Sequence, residues 1–355
     1  MSERLEKRWD EMSKLEMSLA QVTEDYSSDL KIQRRSPKTI SFYLRNLKMF
    51  FKWLRRHGYQ GILGDISLST VKKYILYLEE EHRRFQDHPY TPQQDQGLSP
   101  HSIQGHVRTL KALSSWLYRE EYLLENVLAR LRLPKAPKID IKVLTDDEVK
   151  TLLSAINFNT SAGARNYSIL LLMLDSGSRL GEVIELKLPK TDIEHGQVWV
   201  NGKGNKERVV PIGTRCQRYL RRYIVHFRPE PIRPQIDNVF LNLDGSPITE
   251  NSIKLMFKRL SVKCKIPRLH AHLCRHTFGT NYLRNGGDVF SLQKILGHED
   301  LATVKLYMHL VDADVVQKHK LYSPIDRLDL PRPNKHMPTK KEQSFKSDME
   351  EAEAA

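Results

Sequence analysis

Apolar residues in the first part of the chain recur at the spacing of amphipathic helices. Ser36 and Pro37 supply an N-cap and a first helical residue, and apolar side chains then follow every three or four positions. A second run of this kind covers about 69–81, and a third begins with the same Ser-Pro pair at Ser99. The pattern predicts a small bundle of helices over about 21–130.

A stretch rich in proline and lysine at 131–142 separates this bundle from the rest of the chain. Its two prolines and alternating cations predict an extended, basic linker. Thr145 and Glu148 then have the spacing of a capping box, which marks the first helix of a new domain. We therefore predict a second domain at 143–329 and, after it, a polar and disordered tail at 330–355.

Within the predicted second domain the pattern is mostly helical, with one β-hairpin. The apolar run at 169–174 predicts a buried helix that ends at Gly177. Two valine-rich segments, 197–200 and 208–212, flank a turn-forming sequence at 201–206, as in a hairpin. The predicted fold class is mainly α with a small β-hairpin or sheet (α+β), in two domains.

The charge balance favours a polyanionic partner. The 355 residues include 57 Lys and Arg against 43 Asp and Glu, a formal net charge of +14. Basic chains attract nucleic acids because bound phosphates release condensed counterions, although simple solubility would explain the same excess. Basic positions recur on successive predicted helices, so we predict DNA contacts at Lys38, Arg45, Lys48, Lys52, Arg108 and Lys111, with Lys135 in the linker and Lys206 in the hairpin.

Cysteine content and hydropathy bear on the compartment. The three cysteines are odd in number and lack a Cys-x-x-Cys pair, which argues against a disulfide framework or a structural zinc site. Residues 1–20 form a charged extension without the apolar core of a signal peptide, and no stretch of about 20 apolar residues occurs. We expect a cytoplasmic, nucleoid-associated protein with no membrane partner.

Two cations are candidates for phosphate chemistry. One predicted helix ends at a glycine, and Arg179 follows that glycine and begins the next helix. This position suits phosphate binding. Its alternative role is a structural ion pair with Glu182 one turn later. Lys203 lies at the predicted hairpin tip, from which it can donate a proton to a leaving oxygen; the alternative is a cationic turn that serves solubility.

Histidines and a tyrosine complete the set of candidates. His272 and Arg275 are three residues apart and share a helical face, which suits a phosphodiester. Five histidines between 270 and 309 raise the alternative of a zinc site, but no His-Glu-x-x-His motif is present and we predict no metal. His276 is equally compatible with a core position. Tyr307 follows His298 by nine residues and by itself is compatible with a half-buried aromatic.

Taken in order and context, these motifs resemble the catalytic residues of the tyrosine recombinase (phage integrase) family, especially its Xer-like and transposon-type members. The resemblance covers about 21–321 and rests on Arg179, Lys203, His272, Arg275, His298 and Tyr307. Ser178 and Cys274, at neighbouring packing positions, depart from the residues more common in the family. Neither departure affects the chemistry.

The resemblance implies a two-domain DNA clamp, with a helical core-binding domain and a catalytic domain. It implies site-specific recombination in which Tyr307 attacks the DNA backbone and forms a 3′-phosphotyrosyl intermediate. Arg179 and Arg275 would contact non-bridging oxygens, His272 would act as base and Lys203 as acid, with Glu182 in support. No metal, nucleotide or other cofactor is expected.

The implied partners are double-stranded DNA with a specific site and a homo-tetramer on synapsed DNA. Accessory recombinases or DNA-bending proteins stay open, as does the choice among integration, excision, transposition and dimer resolution. Three alternatives remain: a type IB topoisomerase, a DNA-binding regulator without activity, and a metal-dependent nuclease or transposase of the Asp/Glu type.

Overall fold

The computed structural model describes residues 14–86, 90–137, 142–202 and 207–297, which belong to two compact units. The boundary between the units lies between residues 139 and 140. Each unit has its own core of buried apolar side chains. Within the described ranges, no helix is both long and apolar enough to cross a membrane.

Unit 1 is a helical bundle, and four α-helices of its described residues each begin directly after a serine. The side chains of Ser18, Ser36, Ser67 and Ser99 each accept a hydrogen bond from the backbone N–H three residues later, at 3.1–3.2 Å. The predicted helix starts at Ser36 and Ser99 are therefore confirmed. The first helix was not predicted as a separate element. The helices are α1 (Leu19–Ile32), α2 (Pro37–Arg56), α3 (Leu68–Glu80) and α4 (Pro100–Arg119).

The core of unit 1 joins apolar side chains from all four helices. Leu47 and Phe50 of α2, Tyr74 of α3 and Leu113 of α4 are fully buried. The stretch at 86–97, whose prolines and glutamines predict a surface loop, is closed at its base by paired backbone around residues 83 and 97. This pairing gives the loop a short hairpin stem.

The first part of the predicted linker packs on unit 1. Leu131 is only 7% exposed and belongs to the core of this unit. The side-chain amide of Gln104 donates a hydrogen bond to the carbonyl of Pro134 at 2.7 Å. An extended chain can be held in this way because its backbone carbonyls are not used in regular structure.

Unit 2 is mainly helical with one small sheet, so the predicted fold class is confirmed. The predicted hairpin is formed by two antiparallel strands in which Val198 faces Val210, and a short third strand, not predicted, extends it. The elements are α5 (Asp146–Ser154), α6 (Ser161–Ser176), α7 (Leu180–Glu185), β1 (Thr191–Asp192), β2 (Gln197–Asn201), β3 (Glu207–Pro211), α8 (Thr214–Arg222), a π-helical turn (Tyr223–Phe227), α9 (Glu250–Lys263), α10 (Ala271–Arg284) and α11 (Val289–Leu296).

Helix α6 is the centre of unit 2. It packs against α8 and α10, and residues 169–173 are almost completely buried, as the apolar run predicts. The helix ends at Gly177, whose φ of 62° is the left-handed conformation that glycine adopts at helix ends. The capping box at Thr145 and Glu148 is present at the start of α5, with both reciprocal hydrogen bonds. These ends fix where the next residues, including Arg179, emerge.

Candidate active site

A buried carboxylate organises the site. Glu182 is on the first turn of α7 with its side chain 4% exposed. Its oxygens accept hydrogen bonds from the backbone N–H and the Nη1 of Arg179, both at 2.8 Å. Burial would raise the pKa of Glu182, but the hydrogen bonds and charges of Arg208 and Arg179 outweigh it and hold the pKa below its usual range. The carboxylate is therefore ionised and orients Arg179, the pairing predicted for these two residues.

A second arginine binds the same carboxylate. Nη1 and Nη2 of Arg208 donate to the two oxygens of Glu182, each at 2.8 Å, in a bidentate pair. The sequence interpretation treated Arg208 only as part of a cationic hairpin. Its strand position carries the missed signal: Arg208 has the same parity as the buried Val210 and Ile212, so its side chain lies on the inner face of the strand.

Three arginines bind the C-terminal end of α11. A helix leaves its last carbonyls without partners inside the helix, and these carbonyls carry partial negative charge. Here the carbonyl of Ile295 accepts from Nε of Arg208 at 2.8 Å. The carbonyls of Leu296 and Gly297 accept from Arg275 at 2.7 Å and Arg179 at 3.3 Å. The three guanidinium groups converge here from α7, β3 and α10.

Arg275 is the most buried of the three, with 1% of its surface exposed. Besides Leu296, it donates to the carbonyl of Gly177 at 2.7 Å. It therefore joins the turn before Arg179 to the end of α11, the residues just before His298. Arg179 keeps 36% of its side chain exposed and is the more accessible of the two predicted phosphate ligands.

The histidines of α10 lie beside these arginines. His272 is exposed on one side, and its ring lies 4.5 Å from that of His276 in an edge-to-face arrangement. Partial burial, together with the charges of Arg275, His270 and Arg179, lowers the pKa of His272. Burial and the charges of His272, His270 and Arg275 lower the pKa of His276 to about 4. Both imidazoles are thus neutral near pH 7.

The structure brings together four of the predicted site residues, Arg179, Glu182, His272 and Arg275. Lys203, His298 and Tyr307 lie outside the described residues, as does Lys206. Two described residues adjoin them, since Gly202 precedes Lys203 and Gly297 precedes His298. In the described part of unit 2, as in unit 1, His, Cys, Asp and Glu side chains form no group of three or more that could hold a metal ion.

A basic groove marks the surface of unit 1. It encloses about 650 Å³ and has an apolar floor that includes Ile40 and Leu44. Arg45 and Lys48 of α2, both predicted DNA contacts, line it together with Lys31 and Arg35, which were not predicted. Lys38, Lys52, Arg108 and Lys135 are also exposed on this unit.

Lys111 has a different role from the one predicted. Its ammonium donates to three backbone carbonyls, those of Leu128 and Ala129 at 3.2 Å and that of Leu131 at 2.6 Å. An ammonium has three N–H donors, so these bonds occupy all of them. Lys111 holds the chain after α4 against this helix, and we correct its assignment from DNA contact to structural anchor.

Comparison with known proteins gives a consistent set of similarities. Residues 142–314 match the model of the phage integrase family. The tyrosine recombinase XerD of Staphylococcus aureus is 31% identical over 306 residues, which cover 85% of this chain and 98% of that protein. XerD of Staphylococcus saprophyticus is 29% identical over the same coverage.

Solved structures with a similar fold include two further recombinases. The integrase of transposon Tn1549, in complex with transposon right end DNA, gives a TM-score of 0.64 at 20% identity and covers 86% of this chain and 100% of its own. The XerH site-specific recombinase, bound to a palindromic difH substrate, gives 0.62 at 19% identity with 85% of each chain covered. At these identities the likeness concerns the fold.

Proposed function

This chain belongs to the tyrosine recombinase (phage integrase) family, and from that premise we propose which residues carry out its reaction and how they do so. The protein is a tyrosine-type site-specific DNA recombinase. The observation that carries the site assignment is the convergence of Arg179 and Arg275 on the end of α11, directly before His298, with His272 close to both arginines. From this arrangement we assign the phosphate-binding and proton-transfer roles.

The arginines supply positive charge where the reaction develops negative charge. Attack on a phosphodiester places extra charge on the non-bridging oxygens in the transition state, and preorganised guanidinium groups stabilise it. Arg179, oriented by Glu182, contacts one of these oxygens, and Arg275 contributes from the floor of the site. His298, next to Gly297, adds a hydrogen bond from the end of α11.

Proton transfer needs a base and an acid. His272 has a lowered pKa and is neutral near pH 7, so it accepts the proton of the attacking Tyr307. Tyr307 forms a covalent bond to the 3′ phosphate and the 5′ oxygen departs, with Lys203 at the hairpin tip as its proton donor. The phosphotyrosyl bond conserves the energy of the broken bond, so rejoining requires no nucleotide. The arginines provide the positive charge that a metal would provide elsewhere, and the histidines provide hydrogen bonds.

Unit 1 is the DNA-binding core-binding domain in this proposal, and residues 143–329 are the catalytic domain. The basic groove along α2, with Lys38, Lys52, Arg108 and Lys135, contacts phosphates, which hold the protein in register on duplex DNA. The two domains close on the duplex as a clamp, joined by the linker at 131–142. Strand exchange between two duplexes uses four protomers on synapsed DNA in the nucleoid of the cytoplasm.

Covalent trapping tests the proposal. The protein is incubated in EDTA with a nicked suicide duplex that carries its recombination site, and the mixture is run on a denaturing gel. We expect a protein–DNA adduct with wild type and none with Tyr307→Phe, although this variant binds the duplex with unchanged affinity. Arg221→Met, at an exposed position of α8, serves as the control that still forms the adduct.

Three outcomes would contradict parts of the proposal. An adduct that persists in Tyr307→Phe would assign the nucleophile to another residue. An adduct that EDTA abolishes would require a metal ion. Relaxation of supercoiled DNA without any four-way junction would indicate topoisomerase chemistry instead of strand exchange.

A further inference from the structure

Two guanidinium groups share one buried carboxylate in this site, and only one of them is accessible. Arg179 and Arg208 both bind Glu182, so the three side chains together carry one net positive charge. Arg208 is 13% exposed and binds both carboxylate oxygens, whereas Arg179 is 36% exposed and binds one of them through its side chain. The excess positive charge of the group is therefore presented at Arg179.

The position of Arg208 is closely defined on every side. All three of its nitrogen atoms donate within the protein, two to Glu182 and one to the carbonyl of Ile295. Gly297 packs against it, and a Cβ at Gly297 would lie 2.9 Å from Nε of Arg208. A side chain held in this way has no reach toward a substrate, so any effect on the reaction passes through its neighbours.

Charge balance explains what the second arginine does for the first. If Arg179 alone faced Glu182, the two would form a neutral buried pair, and a phosphate would have to compete with the carboxylate for the guanidinium. Arg208 occupies both oxygens of Glu182 and neutralises it. Glu182 can then orient Arg179 without cancelling its charge, because one carboxylate oxygen accepts from Nη1 of Arg179 and the other accepts from its backbone N–H.

We propose that Arg208 is a positioning residue of recombination, which neutralises Glu182 so that Arg179 keeps its charge for the DNA phosphate. The inference rests on the proposed contact between Arg179 and the scissile phosphate. It assigns to Arg208 a role in the rate of cleavage that is separate from its role in holding β3 against α11.

A double-mutant cycle of charge-removing substitutions tests this role. Single-turnover cleavage of the suicide duplex is measured for Arg208→Met, Glu182→Gln and the double variant. We expect Arg208→Met to slow cleavage by about 30-fold or more, because the carboxylate of Glu182 is then no longer neutralised and cancels the positive charge of Arg179. The double variant should be about tenfold faster than Arg208→Met, since removal of the carboxylate restores that charge.

Two further variants separate charge from packing and from overall DNA attraction. Arg208→Lys keeps the positive charge and loses the bidentate geometry, so it should be clearly faster than Arg208→Met. It also serves in place of Arg208→Met if the latter shows no cooperative unfolding transition. Arg221→Met removes one exposed positive charge from unit 2 and should leave cleavage within about twofold of wild type.

A neutral substrate distinguishes failure of this inference from failure of the proposed function. A methylphosphonate at the scissile position lacks the charge that Arg179 would meet. If Arg179→Ala is as defective on this substrate as on the phosphodiester, the proposed phosphate contact is wrong. If Arg179→Ala recovers but Arg208→Met does not, or if the double variant is no faster than Arg208→Met, the positioning role of Arg208 is wrong.

Discussion

Arg275 combines two demands that usually conflict at one residue, since it is charged and 1% exposed. Burial of a guanidinium is tolerated because strong acceptors surround it, and here the carbonyls of Gly177 and Leu296 each accept at 2.7 Å. Arg179 differs, since a third of its side chain reaches solvent. Arg275 thus stabilises the fold, whereas Arg179 remains accessible from solvent.

Substitution by lysine should separate these contributions. Arg275→Lys should slow cleavage by about 10²–10³-fold and lower the free energy of unfolding by about 1–3 kcal/mol, because a buried carbonyl loses its donor. Arg179→Lys should slow cleavage similarly and change stability by less than about 1 kcal/mol. Single-turnover cleavage and urea unfolding measure the two effects. Equal losses of stability in both variants would contradict the assignment.

A buried histidine in unit 1 predicts how stability depends on pH. His106 is 8% exposed, and its Nδ1 lies 3.3 Å from the hydroxyl of Tyr74. Burial, with the charges of His82 and Arg45, lowers the pKa of His106 to about 4, against 6.5 when unfolded. The neutral form is therefore favoured by folding. Its contribution is complete above about pH 6.5 and is lost as the pH falls through 6.5 toward 4.

The free energy of unfolding of unit 1 should fall by up to about 3 kcal/mol over that interval. His106→Gln, which cannot titrate, should flatten this part of the profile, whereas His101→Gln, at an exposed position of the same helix, should not. Urea midpoints followed by tryptophan fluorescence between pH 4 and 7 provide the measurement. An unchanged slope in His106→Gln would show that another group causes the loss.

At the scale of elements, the helix ends of unit 2 carry the site. The last turn of α11 offers three successive carbonyls, and one arginine from each of α7, β3 and α10 binds them. Gly297 ends the helix at a φ of 63° and leaves room for Arg208. An alanine here would both strain the backbone and press on that side chain. The arrangement fixes the point from which His298 follows.

Two lysines of unit 1 illustrate how the same residue type serves an element in different ways. Lys48 is exposed on α2 and lines the basic groove. Lys48→Ala should therefore weaken DNA binding and reduce the slope of log K against log salt concentration by about one. Lys111 anchors the chain after α4, so Lys111→Ala should lower the free energy of unfolding by about 1–3 kcal/mol and leave the salt dependence unchanged. Binding isotherms at several salt concentrations, with urea unfolding, compare the two. A reduced salt slope in Lys111→Ala would return this residue to the DNA contacts.

At the scale of the whole molecule, the net charge of +14 and the two units agree with a protein that holds a long polyanion. In the proposed function, binding depends on many weak phosphate contacts distributed over both units, whereas cleavage depends on a few side chains in unit 2. Loss of one surface cation should therefore lower the affinity for DNA only slightly. Loss of one site residue should affect the rate by orders of magnitude.

The segment after Tyr307 should control the assembly of protomers into a tetramer on DNA. We expect residues 311–318 to dock on a neighbouring protomer, so a chain that stops at residue 310 should bind duplex DNA with an affinity close to that of the full chain but form no synaptic tetramer. Gel-shift titration measures binding, and sedimentation of the protein–DNA complex measures assembly. Unchanged recombination by the shortened chain would refute this prediction.

The fold was predictable wherever a local pattern decides the structure. Ser-Pro pairs determine where α2 and α4 begin, Gly177 determines where α6 ends, and valine-rich segments around a turn determine the hairpin. These signals act over a few residues and need no knowledge of the rest of the chain. The motifs around Arg179, His272 and Arg275 likewise identified side chains that the structure brings together.

Only the tertiary structure decided what each charged residue does. In sequence Lys111 looks like any exposed cation, and the strand pattern gives only the face on which Arg208 lies. In the structure Arg208 pairs with both oxygens of Glu182, and Lys111 binds three carbonyls. Their partners lie at least 17 residues away along the chain, and these contacts exist only after packing places them. A charge in water has no fixed partner. Burial removes the water and makes the choice of partner, and therefore the role of the residue, a property of the fold.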